Sequence, residues 1–445
     1  MHTEHRQRFL EVLRERRAAA VIPTATHKVR NHDCEYRFRP DSDFWYLTGF
    51  DEPDAVLVLV PALATTKSQG PRTILYLREK DREREIWTGR RLGVAAAPAA
   101  LAVDEARPIE KLWDDLPQLL KNVERIVWRT GPDEARDREM LHVISKLRAS
   151  AKGPVVPPLE LLDPAPLLHE LRLMKSPAEI EVMRRAARIT KEAHIQAMRR
   201  AQPDLNEREI DALVEAIFRS QGGTGCAYTN IVAGGANACI LHYVENNQAL
   251  RDGDLLLIDA GCEFDYYASD VTRTFPVNGR FSAEQRALYD VVLDAQLAAV
   301  AHVKPGVTFN SVHELALQRL VAGLVKLGLL EGPVETALEK ETYKRFYMHR
   351  TSHWLGLDVH DCGAYVIDGS SRALEAGMVL TVEPGLYVAA DDETVEARWR
   401  GIGIRIEDDV LVTATGHDVL TAGIPKHVDE VEAACQGRAL QSVHG

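Results

Sequence analysis

The chain has 445 residues, of which 45% are apolar and 27% charged, with a formal net charge of −12. That length asks for two or three domains, and the apolar share is enough to give each a core. The acidic balance excludes nucleic acid as a main partner, since phosphate binding needs a basic footprint; the longest apolar run, residues 55–64, is far short of the roughly 20 residues that span a membrane.

The opening residues mix Glu4 with Arg6 and carry no apolar signal core, so the expected location is the cytoplasm. The cysteines, Cys34, Cys226, Cys239, Cys262, Cys362 and Cys435, form no C-x-x-C pair. They fit a reducing compartment in which they are buried or idle thiols.

Residues 55–60 and 73–77 are compact apolar runs suited to buried strands, and 111–120 reads as a helix. An α/β domain over residues 1–165 is the economical reading. Pro154, Pro157, Pro158, Pro164 and Pro166 crowd residues 152–166 and exclude regular helix and central strand there, which marks a linker. Residues 166–445 then form a second domain. Ser176-Pro177-Ala178-Glu179 predicts a helix start with a capping box, as do Asn206 with Glu209 and Ser282 with Gln285. Strand-like segments at 254–262, 267–275, 378–383 and 402–412 alternate with these helices, so the second domain reads as α+β.

Four clusters carry the chemistry. In the first, four apolar residues run into Asp259, and a two-residue turn at Phe264-Asp265 would place Asp259 opposite Asp270 across a hairpin. Two carboxylates so placed repel, and a pair of divalent cations between them would relieve it. A turn residue and a helix cap would be the plainer reading of the two. The second cluster packs His349, His353 and His360 into twelve residues of a chain with 16 histidines. Imidazole is both metal ligand and proton carrier; Arg350 stands where a zincin motif would need Glu. In the third, a buried-looking strand ends in Glu383 before Pro384-Gly385. In the fourth, Gly403, Arg405 and Glu407 alternate with Ile402, Ile404 and Ile406, which sets Arg405 beside Glu407. Asp259, Asp270, Glu383 and Glu407 supply four negative charges for two divalent ions. An oxygen-rich set with one imidazole favours Mn²⁺, with Zn²⁺ or Co²⁺ less characteristic.

The order Asp, Asp, His, Glu, Glu on hairpin, loop and two strands resembles the ligand pattern of the pita-bread metallopeptidases, which include methionine aminopeptidase, prolidase and aminopeptidase P. The stretch from His349 to Asp361 resembles the signature of the proline-directed branch. Asn31-His32-Asp33-Cys34-Glu35-Tyr36, Ser42-Asp43-Phe44-Trp45-Tyr46-Leu47-Thr48-Gly49-Phe50 and Glu85-Ile86-Trp87-Thr88-Gly89-Arg90-Arg91 are similar to the N-terminal domain of the aminopeptidase P (Xaa-Pro aminopeptidase) group. The likeness covers nearly the whole chain. It implies an α/β N-terminal domain before a pita-bread (creatinase/aminopeptidase-like) catalytic domain. It also implies hydrolysis of the first peptide bond of peptides with proline second, with a metal-bridging hydroxide as nucleophile. By the same likeness Asp259, Asp270, His353, Glu383 and Glu407 bind two metal ions, Asp270 and Glu407 bridging them. Glu383 also moves a proton, and His242, His349 and His360 line the substrate site. Arg405, Tyr387 and Tyr228 support it, and Trp87 faces a neighbouring subunit in a homo-oligomer, a dimer or tetramer. Prolidase, a dipeptidase with the same five ligands, is the nearest alternative; a creatinase-like enzyme without metals and a non-catalytic binding protein are further ones.

Overall fold

The apolar runs of the first part become strands of one sheet. In the computed structural model, which describes residues 1–62, 70–150 and 157–437, the chain divides into two units, Met1–Arg172 and Leu173–Gly445. The start of the expected linker, the end of the 55–64 run and His444 lie outside the described residues. The first unit is built on strands β1 (Ala18–Pro23), β2 (Val56–Val60), β3 (Arg72–Leu77), β4 (Glu105–Pro108), β5 (Arg125–Val127) and β6 (Glu160–Leu162), in the spatial order β4-β3-β2-β1-β5-β6. β1, β2 and β3 pair antiparallel, while β3–β4, β1–β5 and β5–β6 pair parallel. Successive residues of β2 and β3 are buried because both faces are covered. Helix α1 (His2–Glu15) packs near β1 through Phe9 and Leu13. Helix α2 (Arg82–Thr88) is a short exposed segment carrying Trp87. Helices α3 (Leu112–Leu119) and α4 (Glu134–Ala149) bury Leu112, Leu116, Met140 and Val143 against the sheet.

The later part of the proline-rich stretch belongs to this sheet, since Glu160–Leu162 is its edge strand, a place where flanking prolines cost no ladder bond. The unit then runs on to Arg172, whose guanidinium meets the buried Asp43 carboxylate at 2.7 Å.

In the second unit all three capping boxes form. They open α5 (Pro177–Arg200), α6 (Glu207–Ser220) and α7 (Ala283–His302); α8 (Phe309–Lys326) starts on Thr308, whose side chain accepts from the Ser311 amide. The strands are antiparallel throughout. β7 (Ile231–Gly234), β8 (Leu255–Asp259) and a strand at Thr272–Pro276 make one sheet. β9 (Cys262–Phe264) and β10 (Tyr267–Ala268) make the hairpin tip, and Thr272–Pro276 is β11. β12 (Val379–Val382), Asp408–Val412 and His417–Val419 form another sheet, and β13 (Gly385–Val388) pairs with β14 (Ile402–Arg405). Asp408–Val412 is β15.

Two expectations change here. The hairpin turns at Asp265-Tyr266, not at Phe264-Asp265: both residues have left-handed φ, +46° and +65°, as a type I′ turn requires. Phe264 therefore pairs with Tyr267, and Asp259 lies opposite Thr272. A shift of two positions keeps the side-chain parity, so Asp270 stays on the face of Asp259 as its diagonal neighbour. The segment 402–412 is two strands in different sheets, broken at Ile406-Glu407, because β14 pairs with β13 and β15 with β12.

Candidate active site

A cavity of about 810 Å³ opens in the second unit, and Asp259, Asp270, His353, Glu383 and Glu407 all stand on its wall. Asp259 ends β8 and Asp270 follows the returning hairpin; Gly261 lets the strands close, since a Cβ there would lie 1.6 Å from the Ser269 carbonyl oxygen. The Tyr228 hydroxyl lies 2.6 Å from Asp259 Oδ1 and also contacts Asp270 Oδ1. A single hydroxyl proton can serve only one of the two.

The histidine loop is stitched to β12. The Thr381 amide donates to the His353 carbonyl, the His353 amide to Thr381 Oγ1, and the Glu383 amide to the Thr351 carbonyl, at 3.0, 3.2 and 2.8 Å. These bonds set His353 beside Glu383. His353 Nδ1 donates to the Trp354 carbonyl at 2.9 Å, which turns Nε2 towards Asp270 Oδ2 at 3.3 Å and Glu383 Oε1 at 3.7 Å. A histidine whose other nitrogen is tied to a carbonyl is the arrangement that metal ligation uses. Further along the loop, Lys175 and Asp361 form a fully buried ion pair at 2.8 Å. Gly356 packs so close to it that a Cβ would meet Asp361 Oδ2 at 2.1 Å.

Donor atoms of Asp270, His353 and Glu407 lie within 4.8 Å of one another. The electrostatics are those of a cation site. Burial and the charge of Asp259 raise the Asp270 carboxyl against the opposing pull of His353. Burial takes Glu383 up to about 7 although His353 and Arg405 oppose it. Burial, with Asp270, Glu383 and Asp259 around it, holds Glu407 well above the carboxylate range. Burial alone would depress His353, but its hydrogen bond to Asp270 and the charge of Glu383 outweigh this and lift it to about 9. Carboxylates that must share buried space ionise together only with positive charge among them. Four carboxylates and a neutral imidazole nitrogen therefore fit divalent cations.

Arg405 does not reach Glu407 directly, because the chain breaks between strands at that point. Its guanidinium meets Asp259 Oδ2 at 2.6 Å and donates to Thr272 Oγ1 at 3.0 Å, and Thr272 Oγ1 donates to Glu407 Oε2 at 2.7 Å. Arg405 also donates to the Tyr387 hydroxyl, which in turn meets His349 Nε2, each at 2.9 Å. With its Nδ1 donating to the Arg350 carbonyl at 2.7 Å, His349 is fixed as the neutral tautomer, and burial with the nearby Arg405 charge pushes it down to about 4. Its Nδ1 stands 3.9 Å from Glu383 Oε2. The His360 ring meets that of His353 edge-on at 4.4 Å, and His242 lines the same cavity. Tyr387 is buried behind His349. Trp87, on α2 of the first unit, is 87% exposed.

Sequence reasoning passed over Thr272 and Asp409. Thr272 shares the face of Asp270 two residues away, so strand parity alone could have singled it out. Buried Asp409 accepts from Ser269 Oγ at 2.8 Å and from the Asp270 amide at 3.1 Å, anchoring the turn that presents Asp270. No local pattern marks it beyond its place in Glu407-Asp408-Asp409.

Residues 181–414 match metallopeptidase family M24, and residues 2–128 match the aminopeptidase P N-terminal domain. The Xaa-Pro aminopeptidase of Escherichia coli is 45% identical over 94% of this chain and 93% of its own length. Human Xaa-Pro aminopeptidase 3 is 36% identical over 93% of this chain and 80% of its own. The structure of Pseudomonas aeruginosa aminopeptidase PepP superposes with a TM-score of 0.93 at 47% identity, covering 98% of both chains. A zinc-substituted E. coli aminopeptidase P in complex with product also scores 0.93, at 43% identity and 99% coverage of each.

Proposed function

Because this chain belongs to metallopeptidase family M24, with the aminopeptidase P N-terminal domain ahead of a pita-bread unit, we propose that it is an Xaa-Pro aminopeptidase that uses two divalent ions, Mn²⁺ by preference. One observation carries the reading: Asp259, Asp270, His353, Glu383 and Glu407 meet on one cavity wall together with His242, His349 and His360. The five donors would hold the ions, with Asp270 and Glu407 shared between them. When bound, such ions supply Lewis acidity, polarising a carbonyl and lowering the pKa of water.

The chain's own groups do the rest. The substrate ammonium is drawn to the carboxylate end. Glu383 accepts a proton from the attacking water at a carboxylate oxygen and delivers it to the departing proline nitrogen. That transfer is needed because the leaving group is a secondary amine. His349, held by Tyr387 and Arg405, and His360 and His242 position the peptide around the scissile carbonyl, where a neutral imidazole can donate to developing negative charge. An Xaa-Pro bond offers no N–H, so apolar wall residues such as Ile231, Leu241 and Val359 replace that contact with ring packing.

A homo-oligomer and a cytoplasmic location belong to the same reading. Ile86 and Trp87, 80% and 87% exposed side by side, support a contact between copies, which light scattering tests. The six cysteines are all free thiols, which supports a reducing compartment. No helix among the described residues is long and apolar enough to cross a membrane.

The decisive assay uses metal-stripped protein with and without Mn²⁺, on Ala-Pro and Ala-Pro-Ala in parallel. Mn²⁺-dependent release of alanine from the tripeptide is expected. Cleavage of the dipeptide alone would make the chain a prolidase, and cleavage of neither with metal bound would overturn the substrate class.

A further inference from the structure

The cavity is electrically lopsided. Its acidic lining is Asp259, Asp270, Glu383 and Glu407, gathered at the metal end. Its cationic side chains are two, Arg405 and Arg350. Arg405 is buried and committed to Asp259 at 2.6 Å. Arg350 is exposed, and among the described residues its guanidinium makes one hydrogen bond, to a neutral group: Nη1 donates to Asn310 Oδ1 at 3.1 Å. The Asn310 amide nitrogen in turn donates to Glu314 Oε1 at 2.5 Å, so that carboxylate is engaged through Asn310 and forms no ion pair with the guanidinium. No carboxylate lies within ion-pair distance of Arg350 among the described residues. A guanidinium has five donors in a planar fork that matches a carboxylate, and four of these five are uncommitted here.

Its position follows from the loop. Arg350 lies between His349, which faces Glu383, and Thr351, whose carbonyl binds the Glu383 amide. Asn310 and His313, from the first turns of α8, share this wall. The positive pole of that helix adds to the field there. An aminopeptidase cuts the first bond of a peptide whose ammonium sits against the carboxylates. Everything beyond the cut then occupies the remaining wall, where Arg350 is the uncommitted cation.

We propose that Arg350 is a specificity-determining residue that receives a carboxylate on the leaving-group side of the scissile bond. This rests on the aminopeptidase reading above. The carboxylate could be the C-terminus of a tripeptide or an Asp or Glu side chain at the third position. A contact made equally in the bound substrate and in the transition state lowers KM and leaves kcat alone.

The test compares kcat/KM for Ala-Pro-Ala against its C-terminal amide, and for Ala-Pro-Asp-amide against Ala-Pro-Asn-amide, on wild type, Arg350→Gln and Arg350→Lys. In wild type at low salt, at least one acid-to-neutral ratio is expected to be about 10 or more, as for a charge-assisted hydrogen bond. It should fall towards 1 in Arg350→Gln through KM, and part of it should survive in Arg350→Lys, which keeps the charge without the fork. Which pair shows the ratio identifies the carboxylate. Ratios near 1 in wild type, or a ratio that survives Arg350→Gln, overturn the proposal. Calorimetry with the product-like dipeptide Pro-Ala and its amide reads the same preference without turnover. Carboxylate-selective binding without cleavage of any peptide would uphold the role of Arg350 and sink the aminopeptidase reading; no preference in either assay would sink the role.

Discussion

The proposed mechanism gives Glu383 two duties, metal ligand and proton carrier, and substitution can separate them. Glu383→Gln keeps an oxygen donor in place but cannot shuttle a proton. Its kcat on Ala-Pro-Ala should fall by about 100- to 10,000-fold, while metal content measured by elemental analysis stays at or above half that of wild type. A variant with near-normal kcat would take the proton role away from Glu383. His194, outside the cavity lining, tests burial by pH. It is fully buried on α5, its Nε2 bonded to the Ala260 carbonyl at 3.0 Å, and burial pushes it down to about 4. The unfolded chain, with His near 6.5, takes up the proton first as pH falls. The stability this group contributes is therefore complete above about pH 6.5 and is lost as pH falls from there through about 4. Between pH 7.5 and 5, metal-free wild type should lose about 2 kcal/mol more than His194→Gln in urea unfolding. Parallel pH curves for the two proteins would contradict this.

At the level of elements, the hairpin that presents Asp259 and Asp270 depends on a missing side chain. Gly261→Ala would drive a Cβ into the Ser269 carbonyl. It should part the strands, weaken metal binding at least tenfold by titration, and destabilise the unit by several kcal/mol, roughly as overpacking does. Wild-type metal affinity in this variant would show that the hairpin accommodates the strain elsewhere. A milder change, Ser176→Ala, removes one half of the capping box of α5 and should cost about 1 kcal/mol without altering metal affinity. A loss of metal affinity would tie that helix start to the centre. The helix starts were legible because capping is local chemistry: Ser176, Asn206 and Ser282 each cap where the pattern placed them. Asp259 and Glu383 stood out because a carboxylate at the end of an apolar strand is costly unless used, and His349, His353 and His360 stood out by their density; the full candidate set of five came from the family likeness. What was not legible depends on backbone geometry between segments. The turn moved to Asp265-Tyr266 because nothing in those two side chains announces left-handed φ. Arg405 and Glu407, neighbours by alternation, are joined only through Thr272 because the chain changes sheets between them. Asp409 escaped notice because its partner, Asp270, is distant in sequence.

For the whole molecule, the two units should respond differently to the ions. All five candidate donors lie in Leu173–Gly445, so ions bound there would stabilise that unit by mass action, about 2.7 kcal/mol at a free ion concentration 100 times Kd. Scanning calorimetry with Mn²⁺ and with a chelator should show the transition of the second unit moving by several degrees, while that of Met1–Arg172 stays put. Both transitions shifting together would mean that the units melt as one. The same distribution has a consequence for synthesis. At about 5–20 residues per second, a ribosome delivers Asp259 and Asp270 well before His353, Glu383 and Glu407, and β12, which closes the histidine loop, comes late as well. A growing chain cannot gather its ions or act on the peptides around it. On the proposed ligand set, competence would arrive only with the last strands, and a copy stalled or clipped ahead of Glu407 would be inert rather than merely slow.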